Sequence, residues 1–215
     1  MSRMKIKCKS IDDLLGGGVE PGIITMVFGE SGTGKTNFCI QASKEYAKEK
    51  KVIFIDTEGV SFERIKQICK NDYKKILDNI LFFRPNSLEE QENTIEKIKK
   101  IKNKGLIIID SINLFYRMEL DKDKDIVMRS YLRQMGSLQM IARQNNIPVI
   151  LAGQVYTDKN GEIKPFTHRE TDHLVKTIIR LDKIDSGVRN GTIIKHRSEP
   201  EGKWCSFKIT EKGLE

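Results

Sequence analysis

The stretch that most constrains this chain is residues 23–37, IITMVFGESGTGKTN. An apolar run from Ile23 to Phe28, rich in β-branched residues, leads into Gly29, Glu30, Ser31, Gly32, Thr33, Gly34, Lys35, Thr36 and Asn37, and a helical pattern follows. Strand, glycine-rich loop and helix in that order satisfy G-x-x-x-x-G-K-[ST] in the context the pattern requires. The glycines permit backbone conformations that a Cβ would forbid, so successive N–H groups can turn inward on a phosphate. The helix that follows adds the positive end of its dipole at the same place. On this reading Lys35 reaches the β- and γ-phosphates of a nucleotide and the Thr36 hydroxyl ligates Mg²⁺. The plainer alternative is a glycine-rich turn that joins a strand to a helix.

A chain of 215 residues can bury one sizeable core, so a single domain over 1–215 is expected. Residues 1–22 are short, basic and glycine-punctuated, and read as an arm or an edge strand. The formal charge of +8 favours a polyanionic partner, although a lysine-rich surface is also often only solvated. Cys8, Cys39, Cys69 and Cys205 are scattered without C-x-x-C spacing, which reads as reduced thiols. No apolar run reaches the roughly 18 residues of a membrane span, and the start MSRMKIKCKS lacks the apolar centre of a signal peptide. A soluble, cytoplasmic protein is expected.

Beyond the glycine loop, Phe38, Ala42 and Tyr46 share one helical face. KVIFID (51–56) reads as a second strand that ends at Thr57, Glu58 and Gly59, and 80–83 as a third. Ser87 and Glu90 form a capping box for a helix that runs to about Asn103. LIIID (106–110) is a continuous apolar run suited to a strand buried on both faces. Residues 112–125 read as a loop. A long helix over 126–145 should bury Met128, Tyr131, Leu132, Met135, Leu138 and Ala142, and PVILAG leads to Gln154. Residues 155–172 show no period. Three β-rich segments, 177–181, 192–197 and 205–210, complete an α/β fold: a mostly parallel sheet flanked by helices and extended by antiparallel strands.

Cleaving a γ-phosphate needs a phosphate cradle, a metal ligand, a group that orients water and a sensor of the terminal phosphate. In open α/β sheets such groups gather at the carboxyl ends of parallel strands. Asp110 fits the Mg²⁺-side carboxylate, or merely caps a turn. Ser111, not glutamate, follows it, so the water-polarising carboxylate must come from elsewhere. Glu58 is the candidate, against a plain surface glutamate. Gln154 could donate to the γ-phosphate and relay its presence to the loop beyond.

Taken in order, GVEPGIITMVFGESGTGKTNFCIQ, VIFIDTEG, LIIIDSI, IARQNNIPVILAGQV and GTIIKHRSEPEGKWCSFKIT resemble the ATPase core of the RecA superfamily. Within it they are most similar to the archaeal RadA recombinases and their short paralogue family, RadB. The resemblance implies that Glu58 activates water, Asp110 is the metal-side aspartate and Gln154 the switch glutamine. It implies two DNA-facing loops, one after Asp110 and one after Gln154. It also sets Pro200 as a cap over the adenine of an adjacent subunit. Lys195 and Arg197 resemble a K-x-R element of the paralogue and of KaiC-like ATPases. On a strand they point to the same side and could reach a neighbour's γ-phosphate in trans; strand-edge charge is the alternative. The N-terminal domain and polymerisation motif of RadA-like recombinases have no counterpart here, and Gly153 stands where asparagine usually precedes the glutamine.

In the two loops, Tyr116 and Arg117, then Tyr156, Lys164, Phe166, His168 and Arg169, mix cations with aromatics as single-strand stacking surfaces do. Loop aromatics can equally pack against the sheet edge. The resulting expectation is an ATP- and Mg²⁺-binding accessory protein of DNA repair and homologous recombination. It would bind single-stranded DNA and a RadA-like recombinase, form dimers or higher oligomers with nucleotide at the interface, and hydrolyse ATP weakly. The rivals are a KaiC-like regulatory ATPase acting on a protein partner without DNA, and, less well supported by the residues, a small-molecule phosphotransferase.

Overall fold

A computed structural model describes residues 3–121, 123–157, 163–165, 171 and 173–215. Helix α1 (Lys9–Leu14) precedes β1 (Ile24–Gly29), α2 (Lys35–Tyr46), β2 (Lys51–Asp56), α3 (Phe62–Cys69), α4 (Tyr73–Leu77) and β3 (Ile80–Phe83). Then come α5 (Leu88–Ile98), β4 (Lys104–Asp110), α6 (Leu114–Glu119), α7 (Lys124–Asn145) and β5 (Val149–Gly153). A small ribbon, β6 (Val155–Thr157) with β7 (Ile163–Pro165), precedes β8 (Val175–Asp185), β9 (Val188–Lys195), β10 (Trp204–Thr210) and β11 (Gly213–Leu214).

The main sheet has nine strands in the order β11-β10-β9-β8-β1-β5-β4-β2-β3. Strands β1 to β5 pair in parallel, and β8 also runs parallel to β1 before it turns antiparallel to β9. The switch of direction thus falls one strand later than the start of the β-rich tail. Every residue of β1, β4 and β5 is buried, which explains why these strands read as continuous apolar runs and not as alternations. One face of the sheet packs Phe38 and Ala42 of α2 and Ile65 and Ile68 of α3. The opposite face packs Leu88, Ile95 and Ile98 of α5 with Tyr131, Met135 and Leu138 of α7.

Residues 3–22 are neither an arm nor an edge strand. They carry α1 and a single bridge between Met4 and Val19. Met4, Ile6, Cys8, Ile11, Leu14, Leu15 and Val19 are all buried in the core shared with α2, a payload that a flexible arm could not bury. The Asp12 carboxylate turns back to accept from the N–H groups of Ile6 (2.8 Å) and Lys7 (3.1 Å), which locks the segment.

Two further expectations need correction. Residues 112–125 contain α6, because Phe115 and Tyr116 find buried positions against α7. In α7 the buried face is Val127, Ser130, Tyr131, Gln134, Met135, Leu138, Ile141 and Ala142, while Met128 and Leu132 lie half-buried. The polar members hid this face from a hydrophobic count. Gln134 is satisfied by Gln91 of α5, whose Nε2 donates to Gln134 Oε1 at 2.7 Å. The α5 cap forms as expected, Glu90 N–H donating to Ser87 Oγ at 3.1 Å, but Glu90 Oε2 reaches back to Asn86 N–H, not to that of Ser87.

Candidate nucleotide site

Because β1, β2, β4 and β5 are parallel neighbours in register, their carboxyl ends deliver residues to one edge. Phe28 lies opposite Gly153, Asp110 opposite Ala152, and Asp56 opposite Asp110. The residues that follow these strands surround a cleft of about 400 Å³ lined by Gly29 to Gly32, Gly34 to Asn37, Glu58, Arg117, Gln154 and Val155.

The loop after β1 is shaped by its glycines. Gly34, immediately before α2, has φ 107°, a conformation open to glycine and costly for other residues. A Cβ on Gly29 would collide with the Leu181 carbonyl of β8, so close strand packing also demands glycine there. The Lys35 ammonium donates to the Gly29 and Glu30 carbonyls at 2.8 and 2.9 Å, curled over its own loop. Burial lowers the pKa of Lys35, and Glu58 and Asp110 pull it back up.

Asp110 is buried, and that burial raises its carboxyl to about 6, against the lowering effect of a hydrogen bond with Thr36; Glu58 nearby raises it further. Its Oδ1 is buried without a hydrogen-bond partner among the described residues. An orphaned carboxylate oxygen beside a threonine hydroxyl is the donor set a Mg²⁺ ion accepts. The residues present therefore fit the metal.

Glu58 is held from two sides. Ser111 Oγ donates to Glu58 Oε1 at 2.6 Å and Gln154 Nε2 donates to the same oxygen at 2.7 Å. Its turn is fixed by Asp56, whose carboxylate accepts from Gly59 N–H (2.8 Å), Val60 N–H (3.0 Å) and Arg84 Nε (3.2 Å). Thr57 joins this turn to the loop after β4, its hydroxyl accepting from Ser111 N–H at 2.7 Å and donating to Ser111 O at 2.9 Å. Asn113 clamps the backbone of Gln154, accepting from its N–H at 2.9 Å and donating to its carbonyl at 3.2 Å. A Cβ on Gly153 would lie 3.8 Å from the Asn113 amide nitrogen, an ordinary contact, so the Asn113 side chain stands beside this glycine.

Ser111, Asn113, Asp56 and Thr57 were not singled out from the sequence as site residues. Only the unusual serine after Asp110 signalled the first. Arg64 was also missed: its guanidinium donates to Asn37 Oδ1 (2.7 Å) and Thr210 O (2.6 Å), which ties α2 to β10 beside the cleft. From the β8–β9 hairpin, Arg189 Nε donates to Gly32 O at 3.1 Å and braces the phosphate loop from behind.

The candidates for DNA contact divide. Tyr116 is 5% exposed and stacks on Tyr131 with ring centroids 4.6 Å apart, so its ring is core and offers no stacking face. Arg117 is exposed but lines the cleft beside Glu58 and Gln154. Tyr156 is 43% exposed and lies across the ribbon from Lys164. Phe166, His168 and Arg169 lie outside the described residues. Lys195, Arg197 and Pro200 do not line the cleft. Lys195 ends β9 opposite Ile178, Arg197 Nη1 donates to Glu20 Oε1 at 2.6 Å, and Pro200 is exposed in the turn before β10. Among the described residues no helix is long and apolar enough to cross a membrane.

A family model described as Rad51 matches residues 1–215. The chain is 46% identical to a protein of Methanococcoides burtonii named DNA repair and recombination protein RadB, over 96% of this chain and 95% of that one. It is 39% identical to the protein of the same name from Pyrococcus furiosus, over 96% and 92%. A solved structure titled as the RadB recombinase superposes with a TM-score of 0.86 at 37% identity and covers 98% of both chains.

Proposed function

The chain belongs to the Rad51 family, and from that premise we propose that it is an ATP-binding protein of DNA repair and homologous recombination, with nucleotide acting chiefly as a switch and hydrolysed slowly. Nucleotide and Mg²⁺ use go with this family in general. The observation that carries the reading for these residues is the shared oxygen of Glu58, which accepts from Ser111 at 2.6 Å and from Gln154 at 2.7 Å at the mouth of the cleft.

In this reading the N–H groups of residues 32–36 cradle the phosphates, Lys35 leaves its own carbonyls for the β- and γ-oxygens, and Thr36 and Asp110 hold Mg²⁺. The metal, when bound, neutralises charge on the β- and γ-phosphates. Glu58 orients the attacking water. Gln154, anchored by Asn113, exchanges its bond to Glu58 for one to the γ-phosphate, and its movement displaces the ribbon that begins at Val155. That ribbon carries Tyr156 and Lys164, an aromatic and a cation suited to single-stranded DNA. A RadA-like recombinase is the protein partner that fits the family.

Titration of single-stranded DNA at two salt concentrations, with ADP and with a non-hydrolysable ATP analogue, tests the reading. Binding that weakens with salt and changes with nucleotide supports it. Undetectable binding at low salt with both nucleotides would remove DNA from the function and favour an ATPase that acts on a protein partner.

A further inference from the structure

We propose that Arg117 meets the terminal phosphate of the nucleotide in cis, so that each subunit tells triphosphate from diphosphate with a cation of its own. The inference rests on the nucleotide reading above and deepens it. Of the residues lining the cleft, the cations are Lys35 and Arg117, set against Glu30 and Glu58. A triphosphate brings about four negative charges to this space, and Lys35 together with a Mg²⁺ held by Thr36 and Asp110 would still leave about one of them unmatched.

The guanidinium is available. Arg117 is exposed, and its side chain makes no hydrogen bond or ion pair with the described residues. Of the other cations near the cleft, Arg189 donates to Gly32 O, Asp185 O and Val188 O and Arg64 to Asn37 Oδ1 and Thr210 O, while Lys183 packs against Gly32 of the loop but is not among the residues that line the cleft. Arg197 is paired with Glu20 away from it. Arg117 is also held in place. Helix α6 is pinned by buried Phe115 and Tyr116, and Arg117 N–H donates to Asn113 O at 3.0 Å. The same Asn113 clamps Gln154 through its side chain. Arg117 and the Gln154 amide therefore spring from one junction, at the end of the cleft shared with Glu58. A planar fork of donors suits a phosphate that presents several oxygens.

The experiment compares dissociation constants for ATP and ADP, each with Mg²⁺, by calorimetry on the full chain and on Arg117→Gln and Arg117→Lys. Losing a hydrogen bond to a charged group weakens binding about 10- to 100-fold. That loss is expected for ATP in Arg117→Gln, with partial recovery in Arg117→Lys and ADP affinity unchanged within about twofold. ADP serves as the internal control for folding. An unchanged ATP-to-ADP ratio overturns the inference, and an unchanged ratio together with weakened DNA binding replaces it by a plain DNA contact. If the unsubstituted chain bound neither nucleotide, the nucleotide reading itself would fall and this inference with it.

Discussion

The Ser111 hydroxyl donates to Glu58 Oε1 at 2.6 Å, across the two strand ends that carry them. The Gln154 amide uses the same oxygen, so Glu58 is held by two partners, of which the proposed switch keeps Ser111 and releases Gln154. Ser111→Ala should therefore lower ATP turnover about tenfold, by loosening Glu58, while ATP affinity changes less than about threefold. Phosphate release at saturating ATP, alongside a binding titration, separates the two effects. Unchanged turnover would detach Ser111 from the chemistry.

Lys35→Ala removes the ammonium proposed to meet the β- and γ-phosphates and should weaken both ATP and ADP by at least about 100-fold. Glu58→Gln should spare binding and reduce turnover. Chelation of Mg²⁺ should weaken ATP more than ADP, since a metal held by Thr36 and Asp110 would neutralise charge on the terminal phosphates. Calorimetry on each preparation gives the comparison, and ATP affinity that ignores both Lys35→Ala and EDTA would contradict the assigned cradle.

Asn113 is fully buried and holds both backbone groups of Gln154. Truncation in Asn113→Ala leaves these groups without their partner, at a cost of about 2–3 kcal/mol. A urea titration should show the midpoint fall with an unchanged slope. A loss below about 0.5 kcal/mol would mean that water replaces the clamp.

The Tyr116 ring belongs to the core, which separates two roles cleanly. Tyr116→Ala should destabilise the fold by about 3 kcal/mol. Tyr116→Phe keeps the packing against Tyr131 and should leave DNA affinity unchanged. Fluorescence anisotropy with a labelled oligonucleotide checks the second variant, and a marked loss there would return the residue to the DNA surface.

Burial pushes the Cys69 and Cys205 thiols up to about 11 and raises Cys39 as well. At pH 8 these thiols stay protonated, so alkylation of the folded chain should be slow and should accelerate on unfolding. The folded state holds protons that the unfolded state releases near pH 9, so its stability should decline from there to about pH 11. Thiol labelling with and without denaturant, and melting temperatures at pH 8 and pH 10, provide the check. Rapid labelling of native protein at pH 8 would show that these thiols are open.

Much of the fold could be read from runs such as LIIID and PVILAG, because a strand buried on both faces tolerates few polar residues. Helix α7 was placed correctly but rotated in expectation, since Gln134 and Ser130 satisfy their polar groups inside the core. Residues 3–22 were misread because α1 is only six residues long and its burial depends on α2 and on strands near the end of the chain.

The sequence by itself determined the local machinery: a glycine-rich loop from Gly29 to Thr36 between a strand and a helix, with Lys35 at its end. It also marked Glu58, Asp110 and Gln154 as residues that follow apolar strands. Only the tertiary structure decided that these meet, that Ser111 and Gln154 share one oxygen of Glu58, that Tyr116 turns into the core and that Arg117 faces the cleft. The two hydrogen bonds to Glu58 span 53 and 96 positions along the chain. They are set by strand order and register, which no local pattern encodes.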